Sequence, residues 1–413
     1  MSRLARAICP CLLALAGCHA ILPLPAASDG PGADAGPADL RRDRSALDLR
    51  DGPRPDRSDD LPTGDIQRVW TKASGPNPGR IHAAAAAYHS GRGSVILFGG
   101  VDHTDTVSGA MWEYKNGTWT ELCDPCGSPG PGPRAGHGLA FDEKRGQLLL
   151  YGGVEDNWQN NQPALGDLWI WDNVTANPRK HQSPDGASPG PRVEHYFAHD
   201  AARGVTVLFG GRDVQAENDS YNKEDLYEFD GTYWKGPFTP PSRPAPRYSY
   251  AHSMTYVPDS PGVDPALRGR VVLCGGATGL NGTYYDDCWT WDGTSWTELC
   301  GPGVGSGGCT GTPRIVAPLV FDPLARRLLM MGGYNHAKGE LAGTWSSSDG
   351  ASWIQIDPSL PEQRDTMAAA YCLSDQLVLL HGGNGLSCPA PDGGGAWPLD
   401  HNCDETLLYV LKP

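Results

Sequence analysis

The sequence predicts an all-β fold made of six four-stranded units set around a common axis. Three observations carry that expectation: a Gly-Gly doublet recurs six times, aromatic pairs follow it at similar distances, and 54 Gly and 37 Pro among 413 residues are too many for a helical protein. The formal charge of −15 disfavours a nucleic-acid partner recognised through phosphate neutralisation. No apolar run reaches the ~18 residues needed for a membrane-spanning helix.

Each unit opens on an arginine, usually after proline: Arg80, Arg134, Arg192, Arg247, Arg314 and Arg364. A β-rich run then ends in Gly-Gly, at 99–100, 152–153, 210–211, 275–276, 332–333 and 382–383. The doublets lie 50 to 65 residues apart. Aromatic pairs follow (Trp112/Tyr114, Trp169/Trp171, Tyr227/Phe229, Trp289/Trp291), with weaker versions at Trp345/Ser347 and Leu407/Tyr409. A lone Trp comes next at 119, 234, 296 and 353, whereas Val174 to His181 in unit two offers none and predicts an irregular outer strand. Asn116-Gly117, Asp230-Gly231, Asp292-Gly293 and Asp349-Gly350 are expected to supply the positive φ angles of two-residue hairpins between the last two strands. Each unit therefore reads as a four-stranded meander, a to d, that buries its faces only by stacking on its neighbours. Unit six runs out of chain after its third strand. Gln67 to Thr71, with Trp70 at the lone-Trp position, is the missing fourth strand.

The apolar run, Gly-Gly doublet, later Tyr or Trp and further Trp resemble the kelch-repeat family of the galactose oxidase-like superfamily. The resemblance implies a six-bladed kelch-type β-propeller over residues 65–413, closed by an N-terminal strand that completes the last blade. It also implies that d–a and b–c loops emerge on one face and a–b and c–d hairpins on the other.

The N-terminus reads as an address. Arg3 and Arg6 precede a short apolar stretch, Ala7 to Ala16, and Leu15-Ala16-Gly17-Cys18 resembles the lipobox of bacterial lipoproteins. The expectation is a signal over 1–18, lipidation at Cys18, and an outer-membrane lipoprotein, since His19 rather than Asp follows the Cys. Residues 19–64 lack aromatics and are rich in Pro, Ala and Asp, as expected of a disordered tether.

Elaboration is expected on the face of the b–c loops: Val154–Gly166, Arg212–Glu224, Ala277–Asp287 and Asn384–Glu405. Eleven of 13 Trp occupy repeat positions, and the two left over, Trp158 and Trp397, both fall in these loops. An indole on a surface loop is a common anchor for a sugar or a protein partner; the alternative reading is that each folds back as a lid on its own loop. Disulfide candidates are Cys123 with Cys126, Cys300 with Cys309, Cys388 with Cys403, and Cys274 with Cys288, while Cys372 reads as a buried thiol. Zinc at Cys123-x-x-Cys126 lacks a second ligand pair. The six arginines could line a cationic mouth. The blander expectation is that each pairs with a carboxylate or carbonyl of the neighbouring blade. His82, His137, His195 and His252 read as core histidines.

Two enzyme classes share the resembled fold. Radical copper oxidases need a Tyr–Cys crosslink, but Tyr371 and Cys372 are adjacent in sequence and face opposite ways on a strand. Sialate epimerases use an arginine funnel with acid/base residues, for which Glu194 is a weak candidate. The sequence thus favours a non-enzymatic, surface-tethered propeller that needs no metal or cofactor. It would bind a protein or glycan through its long-loop face. An exported enzyme acting on an acidic sugar is the alternative.

Overall fold

The computed structural model describes residues 68–411 except 157–161, 214–221, 250–252, 280–281, 305–307, 360–362 and 386–402. The described residues form six antiparallel four-stranded sheets, which are the six blades of a β-propeller. From the axis outward, strands a to d of blade one are Ala85–His89, Ser94–Phe98, Met111–Lys115 and Thr118–Cys123. Blade two is Gly138–Asp142, Gln147–Tyr151, Leu168–Trp171 and Arg179–His181, and blade three is Tyr196–Asp200, Val205–Phe209, Leu226–Phe229 and Trp234–Phe238. Blade four comprises Met254–Val257, Arg270–Cys274, Cys288–Trp291 and Trp296–Cys300; blade five comprises Leu319–Asp322, Arg327–Met331, Thr344–Ser347 and Ile354–Asp357. Blade six takes Ala368–Cys372, Leu377–His381 and Thr406–Leu411 from the C-terminal end and Arg68–Lys72 from the N-terminal end. Trp70 pairs with Tyr409 there, ring centroids 4.8 Å apart, and Arg68 is salt-bridged to Asp322 of blade five.

The Gly-Gly doublet has a steric cause that repeats around the ring. The first glycine of each blade sits at positive φ against the next blade's carbonyl: a Cβ on Gly152 would come within 2.6 Å of Arg192 O, and one on Gly275 within 2.6 Å of Arg314 O. The second glycine donates its N–H to that same carbonyl, at 2.9 Å for Gly100 to Arg134, 3.0 Å for Gly153 to Arg192 and 2.9 Å for Gly276 to Arg314. Glycine is therefore required because two blades touch through backbone alone.

Ring closure shifts this register by one residue. Gly383 of blade six donates to Ile81 O, not to Arg80 O. Blade one thus carries Ile81 where the other blades carry their arginine, and Arg80 lies just outside the series, partly exposed.

The hairpins divide into two kinds. Asn116 and Gly117 both take positive φ, 51° and 83°, as a two-residue turn requires. The Asp-Gly turns differ from expectation. Trp291 pairs with Trp296, leaving a four-residue loop in which Asp292 accepts the N–H groups of Thr294 and Ser295, both at 2.8 Å. Asp230 and Asp349 do the same. A carboxylate cap replaces the second positive φ.

Blade two has only a three-residue outer strand. Fully buried Val174 packs in the core cluster that contains Trp171. Disulfides join Cys123 to Cys126, Cys274 to Cys288 and Cys300 to Cys309. Cys288 pairs with Cys300 across strands c and d, so two disulfides lie side by side in blade four. Cys403 is disulfide-bonded, Cys388 lies outside the described residues, and Cys372 is a buried free thiol.

Candidate functional site

The arginines mark where each blade is fastened. Their backbones bond to the preceding blade, and their side chains turn into their own blade rather than the neighbouring one expected. Arg134 Nη1 lies 3.0 Å from Gly152 O and 2.9 Å from Asp167 Oδ1. Arg192 donates to Gly210 O at 2.9 Å and grips Asp225 through both oxygens, at 2.7 and 3.0 Å. Arg247 repeats this with Gly275 O at 3.0 Å and Asp287 at 2.7 and 2.9 Å. Arg364 faces Glu405 at 3.5 Å. Arg314 reaches Gly332 O at 3.0 Å, but Gly343 stands where blades two, three, four and six place an acid. All five guanidiniums are buried in the blade walls.

The sequence reading missed the carboxylates, although they carry a signal. Asp167, Asp225 and Asp287 each stand two residues before the first aromatic of the pair. Asp167 and Asp287 also accept the indole N–H of Trp169 and Trp289, at 2.7 and 2.8 Å. Burial alone would raise the Asp167 carboxyl, but Arg134 and Trp169 hold it below its usual range.

Around the axis on the long-loop face, the residues two beyond the arginine position form a buried hydrogen-bonded arc that runs from Thr366 through blades one to four to Val316. Gly136 donates to Ala83 O at 3.1 Å, Glu194 to Gly136 O at 2.8 Å, Ser249 to Glu194 O at 2.9 Å, and Ala83 to Thr366 O at 3.1 Å. Val316 donates to Ser249 Oγ at 3.0 Å. Ala83, Glu194, Val316 and Thr366 adopt positive φ to do so. Glu194 is fully buried and held by both arms of Arg212, whose guanidinium lies 5.2 Å from the Tyr248 ring centre. Asp365 accepts Thr366 Oγ1–H at 3.1 Å, and burial raises its carboxyl to about 7. His137 and His195 are buried beside aromatic rings, in keeping with a core role, and His252 lies outside the described residues.

A cavity of about 660 Å³ lies on this face at blade two, where the outer strand is short. One wall is Ala164 to Leu168, the end of the b–c loop that carries Trp158; the other is the d–a loop from Gln182 to Pro191. Lys180, 3.5 Å from Asp167 and 5.9 Å from the Trp169 ring centre, lines it together with His181 and Trp234. Tyr151 Oη donates to Gly190 O at 3.0 Å. Burial lowers the His181 imidazole, so the side chain is neutral at pH 7. A wall of Trp, Tyr, Lys and an imidazole suits recognition by stacking and hydrogen bonding, and it places no activated nucleophile. Trp158 and Trp397 themselves, like Cys18 and the tether, lie outside the described residues.

The model of the KLHDC2/KLHL20/DRC7 Kelch-repeats domain matches residues 59–259, reaching into blade four. With six blades fastened through Gly-Gly, the chain is a kelch-repeat β-propeller. Kelch domains commonly serve as protein-interaction scaffolds.

Proposed function

We propose that this propeller is a non-enzymatic binding module of the bacterial cell envelope, tethered to the outer membrane through lipidated Cys18 and the 19–64 spacer. It takes a protein or glycan partner on its long-loop face, with Trp158 and Trp397 as anchors. The observation that carries this reading is the blade-two cavity beside the Trp158 loop, on the same face as the disulfide-braced d–a loops. The alternative, turnover of an acidic sugar at an arginine-lined mouth, draws no support from Arg192 and Glu194. Both are buried and already engaged, by Asp225 and Arg212.

The test is capture from envelope extracts and from a glycan array with the lipidated chain. Retention of a specific partner by the wild type and its loss in the Trp158→Ala/Trp397→Ala variant is the expected result. Undiminished capture by that variant overturns the proposed site.

A further inference from the structure

The two faces of the ring are not equivalent, and the hairpin face holds a second cavity. Strand register brings one residue of each innermost strand to the same level: Tyr88, Phe141, His199, Tyr256, Phe321 and Tyr371, paired with Val95, Leu148, Thr206, Val271, Leu328 and Val378 of strand b. All six line a cavity of about 400 Å³ around the axis, open toward the a–b hairpins. One level deeper the wall is Ala87, Ala140, Ala198, Thr255, Val320 and Ala370, so the floor beneath this aromatic collar is made of small, almost wholly apolar groups.

The collar is held in place from the side. Phe141 stacks on His89 of blade one at 4.0 Å, and His199 Nε2 lies 3.5 Å from Asp142 of blade two. Phe321 packs with Val257 of blade four in one core cluster. Rings fixed by the preceding blade lose little freedom when a ligand arrives.

Charge accounting at the mouth leaves two neighbours without an ion pair among the described residues: Lys144, which does not line the cavity, and Glu143, which does. Arg145 is paired with Asp142 at 2.6 Å, Arg203 with Asp200 at 2.7 Å and Glu228 at 2.5 Å, and Arg68 with Asp322. Lys144 lies over Gly204 of the next blade's turn. Glu143 lines the cavity and takes part in no hydrogen bond or ion pair with the described residues; burial and the neighbouring Asp142 raise its carboxyl, so an arriving cation would also relieve that repulsion.

We propose that the collar binds a small alkylammonium cation, its methyl groups seated against the rings and alanines and its charge answered by Glu143. Six aromatic or imidazole side chains beside one unpaired carboxylate suit an organic cation. A metal ion would give up its hydration shell to a floor with Thr255 as its only hydroxyl, and a sugar would leave most of its hydroxyls unpaired there. Burial lowers His199, which therefore adds no competing positive charge at pH 7.

The probes are choline and its neutral isostere 3,3-dimethylbutan-1-ol, titrated into the full chain and followed by calorimetry. Saturable choline binding is expected, with the neutral isostere weaker by about tenfold. Glu143→Gln should weaken choline by about tenfold and leave the isostere unchanged. Tyr256→Ala should weaken both probes while Tyr256→Phe retains them, which separates the ring from the hydroxyl and from a folding defect. Absence of saturable choline binding, equal affinity for the two probes, or an unaffected Glu143→Gln protein would overturn the proposal.

Discussion

Arg247 and Asp287 meet through two parallel hydrogen bonds, Nη1–Oδ1 at 2.7 Å and Nη2–Oδ2 at 2.9 Å, with both groups buried and the guanidinium 3.9 Å from the Tyr285 ring centre. Blade five keeps the arginine, Arg314, but has Gly343 in place of the acid. Blade one, with Ile81 and Ala110 at these positions, lacks both charges. A buried guanidinium with its bidentate carboxylate is balanced, and removing one partner strands a charge in the blade wall.

That contrast predicts opposite outcomes for two substitutions. Asp287→Ala should destabilise by about 3–5 kcal/mol, because Arg247 remains buried without its partner. Arg314→Met should be nearly neutral or stabilising, since burial already pushes that guanidinium down to about 10 against only the distant charge of Asp286. Urea unfolding of the two variants beside wild type decides it, and an Arg314→Met protein as damaged as Asp287→Ala would contradict the account.

Acid should loosen the closing blade. His381 is fully buried, donates from Nε2 to Gly79 O at 3.1 Å, and accepts at Nδ1 from Thr406 Oγ1–H at 2.8 Å. Thr406 in turn accepts the Trp119 indole N–H at 2.8 Å. Burial lowers His381 to about 4, so the folded ring stays neutral where an unfolded one is charged. The stability from this group is complete above the unfolded value near 6.5 and is lost as pH falls toward 4, by about 3 kcal/mol at most. His195, lowered to about 3, acts in the same direction. Replacing His381 with Gln should flatten part of the acid limb in unfolding curves taken at pH 4.5 and 7, whereas an unchanged slope would rule out the assignment.

Asp365 works in the opposite sense. Its carboxyl is raised to about 7, so the fold prefers the neutral acid. Stability is present in full below the unfolded value of 3.8 and declines as pH rises through 7, by up to about 4 kcal/mol. Asp365→Asn should therefore stabilise the protein at pH 8 and change little at pH 3.5. Equal effects at both values would contradict a buried carboxyl.

Ring closure is testable by truncation. Deleting residues 1–72 leaves Thr406–Leu411 as an unpaired, largely apolar edge and removes the Arg68–Asp322 and Lys72–Glu405 pairs. The truncated chain should aggregate on refolding. A monomeric truncation with an unchanged melting temperature would mean that the strand adds nothing.

The blades were legible because the doublet serves a contact that repeats whenever two blades meet, and because a Trp recurs in or beside strand d of every blade but the second. The single-residue slip at Arg80 was not legible: an arginine stands near the expected point of the repeat, with Gly79 rather than Pro before it, and only the bond from Gly383 to Ile81 fixes the register. The aromatic collar escaped notice for a related reason. Counted from Ile81 and from Arg134, Arg192, Arg314 and Arg364, its members stand seven residues on. The wrong anchor in blade one and two extra residues in blade four hide that spacing. The acids that hold the arginines were within reach, two residues before each aromatic pair.

The central claim is that partners engage the long-loop face. Hydrogen exchange on the full chain with its captured partner tests this most directly. The account predicts protection confined to the loops around 154–166, 182–191 and 384–405. Protection of the a–b turns at 143–146 and 201–204, with the long loops unchanged, would contradict it.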